Sequence, residues 1–199
     1  PQKEVDLCGH ATLASAWVLL NRLGHRASSV DFQSKSGPLS VGRDNEELVL
    51  DFPAQPPVPC EIPAEITGAF NNPIAECLKS EDYIVVFNNE QDVKAAKPDL
   101  SLLEKLDLRG VIITAPSGQY DFVARFFAPR YGIPEDPVTG SAYTQLAPYW
   151  ETRLGSKQFR VKQLSQRGGE LSCRVMKDRV HIWGRAVLYM EGKIRINSF

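Results

Sequence analysis

Two short stretches hold the residue types from which acid–base chemistry is made. Asp136-Pro-Val-Thr-Gly-Ser-Ala142 ends in a glycine and a serine that open a helical pattern, with Leu146, Tyr149, Trp150 and Leu154 at helix spacing. Proline at 137 is excluded from a helix interior, so a tight loop must feed this one. The first N–H groups of a helix lack internal acceptors and lie at its positive end, so Gly140 and Ser141 would cradle an anion. Asp136 stands just outside that cradle, where a carboxylate either caps the helix or exchanges a proton with whatever the cradle holds. His10 occupies a second opening, Asp6-Leu-Cys-Gly-His-Ala11, with an imidazole directly after the leading glycine.

These openings belong to two copies of one unit. Between the runs 9–24 and 140–155, Gly9 matches Gly140, Ala11 matches Ala142, Ala16 matches Ala147, and Arg22-Leu-Gly24 matches Arg153-Leu-Gly155. Gly37 and Gly168 then follow at equal distances, Asp6 precedes Gly9 as Asp136 precedes Gly140, and Pro1 stands where Pro129 stands. Such repetition puts an equivalent helix at the heart of each unit, over about 9–23 and 140–154. Leu13, Ala16, Trp17 and Leu20 make one apolar face of the first helix and Val18 and Leu19 the other, which predicts burial on all sides. Pro148 removes one backbone hydrogen bond from the second at a cost on the order of 3 kcal/mol, and predicts a kink near Thr144.

Around the helices the pattern is of strands. Runs 29–34, 39–42 and 47–52 follow the first helix, and runs 82–87, 110–115 and 120–128 precede the second. Runs 159–164, 170–176, 179–183 and 186–191 follow the second, with Arg167-Gly168-Gly169 as a turn. Short helices fit 64–70, 90–96 and 100–106. Five prolines between Pro53 and Pro63 mark a semi-rigid linker and a boundary. The expected division is an N-terminal lobe over 1–57 and a C-terminal lobe over 58–199, with the last strands candidates to return to the first lobe. The first copy has no strands ahead of its helix comparable with 82–128, so the sequence reads as beginning inside a repeat. That predicts an incomplete first lobe, exposing Trp17, Leu20 or Val18, with a homodimer as one way to cover it.

Composition narrows the classes. Of 199 residues, 43% are hydrophobic, and 23 basic residues nearly balance 24 acidic ones; no basic cluster suggests nucleic acid or an anionic membrane surface. No apolar run is long enough for a helical membrane span, and no leader pattern opens the sequence, so the expected location is cytoplasmic. Cys8, Cys60, Cys77 and Cys173 form no C-x-x-C pair, so reduced thiols are expected and no metal site is assigned; Cys8 with His10 is too few ligands. His25 and His181 are read as structural.

Asp6-Leu-Cys-Gly-His-Ala-Thr-Leu-Ala14, Glu135-Asp-Pro-Val-Thr-Gly-Ser-Ala142, Leu146-Ala-Pro-Tyr-Trp150 and Ser165-Gln-Arg-Gly-Gly-Glu170 together resemble the phenazine-biosynthesis PhzF-like family. The resemblance implies an α+β, diaminopimelate-epimerase-like fold. Two pseudo-symmetric lobes each wrap a barrel-like, mostly antiparallel sheet around a central helix, and the catalytic cleft lies at the facing helix N-termini. It further implies a cofactor-independent isomerase that moves a proton on a small carboxylate-bearing substrate. By motif, His10 and Asp136 would be the acid/base groups, and Gly9, Gly140 and Ser141 would bind the substrate carboxylate.

Two departures qualify the expectation. The family's general base is a glutamate in a Ser-Glu-Thr-Ala-like motif that lies ahead of everything in this sequence, and Tyr143 stands where a histidine is usual. A binding or scaffold protein of the same fold is therefore the alternative from a different class. Cys8 and Thr139 precede the two glycines, so a racemase with one thiol from each lobe lacks its second thiol; a cysteine-assisted racemase or epimerase acting through Cys8 alone is the second alternative.

Overall fold

The computed structural model describes residues 8–35 and 37–193; Pro1 and Asp6 of the internal alignment lie outside the described residues. In chain order the elements are α1 (Gly9–Asn21), β1 (Ser29–Ser34), β2 (Gly37–Asp44), β3 (Glu47–Pro53), β4 (Val58–Pro59), α2 (Ala64–Ala69), β5 (Glu76–Lys79) and β6 (Tyr83–Val86). There follow α3 (Glu90–Ala95), α4 (Leu100–Leu103), β7 (Val111–Pro116), β8 (Phe122–Ala128), a 3-10 turn (Pro129–Tyr131) and β9 (Ile133–Asp136). The last described elements are α5 (Ala142–Leu154), β10 (Gln158–Gln163), β11 (Gly169–Met176) and β12 (Arg179–Gly184).

Among the described residues all the strands join one 12-stranded sheet in the order β1-β2-β3-β12-β11-β10-β8-β7-β6-β5-β4, with β9 paired to β8. The fold is α+β, with one large sheet and few helices. Most neighbours are antiparallel; β6–β7 and β8–β10 are parallel. Although the division expected at 57/58 falls in the crossing from β3 to β4, the sheet does not stop there. β12 comes back from the end of the chain to pair with β3, setting Ile182 opposite Leu50 and Val180 opposite Phe52.

Side-chain alternation explains how two helical layers fit. Along β6, β7 and β8, Ile84, Val86, Ile112, Phe122, Ala124 and Phe126 face one core. Tyr83, Val85, Val111, Ile113, Val123 and Phe127 face another. The first core holds residues of both long helices, Ala16 and Leu20 from α1 and Leu146, Ala147 and Trp150 from α5. The second lies beneath α2, α3 and α4. A sheet covered on both faces needs unbroken apolar strands, as Val111-Ile-Ile113 shows.

α5 and α1 differ in burial. On α5, every residue from Ala142 to Ala147 is buried. On α1 only Gly9, Ala16 and Leu20 are, while Val18 is 40% exposed. The expectation that α1 is buried on all sides is therefore wrong; of the residues expected at an open face, Val18 is exposed, Trp17 half-buried and Leu20 buried. Run 186–191 forms no strand, because it finds no strand to pair with among the described residues; Val187 and Tyr189 are 85% and 97% exposed.

Pro148 lies within a continuous α5. It has no N–H to give the carbonyl of Thr144, and that carbonyl instead accepts from the Gln55 N–H at 2.9 Å. The side chains meet too, Thr144 Oγ1 lying 2.7 Å from Gln55 Oε1. The proline-rich segment thus docks on α5 at the gap that Pro148 leaves.

Trp150 is 4% exposed, stacks on Phe122 with ring centroids 5.3 Å apart, and donates to Thr114 Oγ1 at 3.1 Å. Trp150→Ala should cost about 3–5 kcal/mol in chemical denaturation. Trp17→Ala, at a half-buried position, should cost distinctly less; equal losses would mean that α1 is packed as α5 is.

Candidate active site

The N-termini of α1 and α5 meet. A Cβ built on Gly9 would lie 3.4 Å from the Gly140 Cα, and one built on Gly140 would lie 3.5 Å from the Gly9 Cα. Only hydrogen separates the two backbones here, so the positive ends of two helices of 13 residues each converge at one place. Around that junction lies a cavity of about 150 Å³, lined by Gly9, His10, Asp136, Gly140 and Ser141 together with Cys8, Arg109, Tyr131 and Thr139. All five residues singled out in the sequence share it.

The helix begins later than its motif. Gly140 and Ser141 form a turn ahead of α5, whose first N–H groups bond three residues back: Ala142 to the Thr139 carbonyl, Tyr143 to Gly140 and Thr144 to Ser141. The N–H groups of Gly140 and Ser141 donate to no acceptor among the described residues, and remain available to a ligand.

Several anchors hold Asp136. β9 pairs with β8, placing Asp136 opposite Phe126, and the adjacent Glu135 is ion-paired with Arg125 at 2.6 Å. Gln163, 1% exposed, donates to the Asp136 carbonyl at 2.8 Å and accepts from the Thr139 N–H at 2.9 Å. One buried amide thus ties both ends of the loop that carries the carboxylate. Thr139 Oγ1 donates to Asp136 Oδ2, which occupies the hydroxyl standing where a second thiol would be. The loop also presses on β11, where a Cβ at Gly169 would run into Val138 Cγ2.

His10, on the first turn of α1, is exposed toward the cavity, and its ring nitrogens lie 3.8 and 4.0 Å from Cys8 Sγ. Tyr143 does not line the cavity. It is fully buried, which pushes its hydroxyl pKa up, and lies 3.4 Å from Gln163 Oε1 beneath the loop. Among the described residues no three His, Cys, Asp or Glu side chains are grouped to hold a metal ion. His181 packs at 3.7 Å from Asp51, and His25 is an exposed residue after α1.

Sequence reasoning missed Arg109 and Gln163. Arg109 sits just before β7 and reaches the cavity from outside any motif. Its Nε donates to Asp82 at 2.9 Å and its Nη1 to Ser141 Oγ at 3.0 Å. Burial alone would lower its pKa, but Asp82 and Glu81 outweigh that and hold it above the usual value. Gln163 did leave a trace: in β10 the inward positions run Phe159, Val161, Gln163, and a polar residue in an apolar phase calls for partners.

With this geometry in place, likeness to known proteins becomes informative. The model of the phenazine biosynthesis-like proteins, PhzC-PhzF, matches residues 1–192. The chain belongs to that family. An uncharacterized isomerase of Pseudomonas aeruginosa is 48% identical over 98% of this chain and 76% of its own length. A phenazine biosynthesis-like domain-containing protein of mouse is 40% identical over 98% of this chain and 75% of its own. The crystal structure of a PhzF-family protein of Enterococcus faecalis superposes with a TM-score of 0.91 at 43% identity, over 98% of this chain and 76% of that one. A probable proline racemase of Agrobacterium radiobacter shares the fold alone, with a TM-score of 0.61 at 10% identity over 95% of this chain and 68% of that one. The kinship supports an isomerase-type function for this member of the phenazine biosynthesis-like family. Among the described residues no helix is long and apolar enough to cross a membrane.

Gln163→Leu keeps the side-chain volume but leaves the buried Thr139 N–H and the Asp136 carbonyl without partners. It should lower stability by about 1–3 kcal/mol in urea denaturation, and a neutral result would show that the loop is held by its other anchors.

Proposed function

We propose that the cavity at the α1–α5 junction is the active site of a cofactor-independent isomerase that moves a proton on a small carboxylate-bearing substrate. The observation that carries this reading is the convergence of two helix N-termini, with nothing bulkier than glycine between them, beside a histidine and an aspartate lining the same space. The substrate carboxylate would be taken by the N–H groups of Gly140 and Ser141, which have no acceptor among the described residues, and by the positive end of α1 at Gly9. His10 and Asp136 would then be the acid/base pair. One removes a proton from a carbon activated by the carboxylate or its conjugated system, and the other returns a proton at a different carbon, so that charge and composition are unchanged overall.

The same donors would stabilise the negative charge that develops when the proton leaves, because the helix ends hold them in place beforehand. Oxygen at Thr139, hydrogen-bonded to Asp136, speaks against a racemase working through paired thiols. A binding protein of the same fold is the competing class, and turnover separates the two.

In deuterated water, an isomerase should place solvent deuterium in a dihydroaromatic carboxylic acid, read by mass spectrometry or proton NMR. His10→Ala and Asp136→Asn should each slow this by about 100- to 10,000-fold. Unchanged exchange in both variants would remove these residues from the mechanism. Binding of the acid by the wild-type protein without any exchange would favour the non-catalytic reading.

A further inference from the structure

We infer that Arg109 is a positioning residue that fixes the direction of the Ser141 hydroxyl hydrogen, and so makes the cavity selective for a group that only accepts hydrogen bonds. The inference rests on the anion-binding reading above and narrows it. Its substrate group is a carboxylate or other oxyanion, discriminated from an amide of the same shape.

Arg109 is locked in place. Its side chain is 10% exposed, with Nε and Nη2 forked onto the carboxylate of Asp82, which is wholly buried. Asp82 is in turn tied to α5, its backbone N–H donating to Gln145 Oε1 at 3.1 Å and its carboxylate accepting from Gln145 Nε2 at 2.7 Å. The guanidinium lies over the Phe126 ring, 5.2 Å from the centroid. What remains is Nη1, 2.9 Å from Glu81 Oε1 and 3.0 Å from Ser141 Oγ.

A guanidinium has donors and no acceptor, and it keeps its proton throughout the accessible pH range. Ser141 Oγ must therefore accept from Arg109 and turn its own hydrogen elsewhere. Ser141 is 4% exposed and lines the cavity, and that hydrogen meets no acceptor among the described residues. Turned away from Arg109, it joins the N–H groups of Gly140 and Ser141 as a third donor at the cavity. Three donors lining one cavity would accept an oxyanion and leave an amide NH2 facing donors only.

The effect is one of direction more than of charge. Asp82 and Glu81 set two carboxylates against the one guanidinium, so the cluster adds no net positive charge to the cavity. Lysine at 109 would keep the charge but cannot span Asp82 and Ser141 with a planar fork.

The test uses benzoate and benzamide as an isosteric pair, with affinities from ligand-observed NMR on the whole chain. The wild-type protein should prefer benzoate by about tenfold or more, and folded Arg109→Lys should reduce that preference to within about threefold. In a Ser141→Ala background, Arg109→Lys should change the ratio no further, because the group through which Arg109 acts is gone. A merely structural role would move both backgrounds alike. Should Arg109→Lys fail to fold, Arg109→Gln with Asp82→Asn removes the buried charges together and should give the same loss of selectivity. A full benzoate preference in folded Arg109 variants, or an equal further loss in the Ser141→Ala background, overturns the inference and leaves the anion site standing. A wild-type protein that does not prefer benzoate overturns the anion site itself, and this inference with it.

Discussion

Two helices with their positive ends together repel unless something negative lies between them, and the fold holds α1 and α5 in that arrangement at Gly9 and Gly140. The approach is close: a Cβ on either glycine would stand in van der Waals contact with the other's backbone. The remainder of the molecule is what keeps this contact closed. β12 carries the end of the chain back to β3, so that the strands around α1 and those around α5 are one hydrogen-bonded sheet. The core that covers both helices is likewise continuous.

A second constraint acts at right angles to the first. The Asp82–Gln145 bonds fasten the segment before β6 to the second turn of α5, and Arg109 extends the same network to Ser141. A buried ion pair is weak support for stability taken alone, because removing charges from water is costly. Here it fixes which atoms face the cavity, a matter of specificity rather than of strength. Gln163 does the corresponding work from the other side of the loop, with an uncharged amide.

Much of this was legible in the sequence because helices and strands announce themselves through period and punctuation. Run 29–34 is β1 residue for residue, and the glycines at 24 and 155 that closed both repeats have left-handed backbones. Gly9, His10, Asp136, Gly140 and Ser141 were found because repetition marked their openings, and they do share one cavity. Other features were hidden for physical reasons. Arg109 is brought to Ser141 by tertiary packing across 32 positions, which no local spacing encodes. The two sides of α1 are alike in hydrophobicity, so composition could not say that only one would be covered. Run 186–191 has strand composition, but a strand needs a neighbour, and pairing is not a local property. β4 escaped notice because its two residues, one of them a proline, sit in a stretch that reads as a linker.

Pro148 shows what an absent hydrogen-bond donor can encode. Along a regular helix each buried carbonyl is taken by the turn ahead, so a chain crossing the surface finds every position alike. By withholding one donor, Pro148 leaves the Thr144 carbonyl as a lone vacancy, and the Gln55 N–H fills it. The proline therefore serves as an address, telling the segment between β3 and β4 where along α5 to lie. The spacing of the two halves of the sheet is in this sense written into the helix itself.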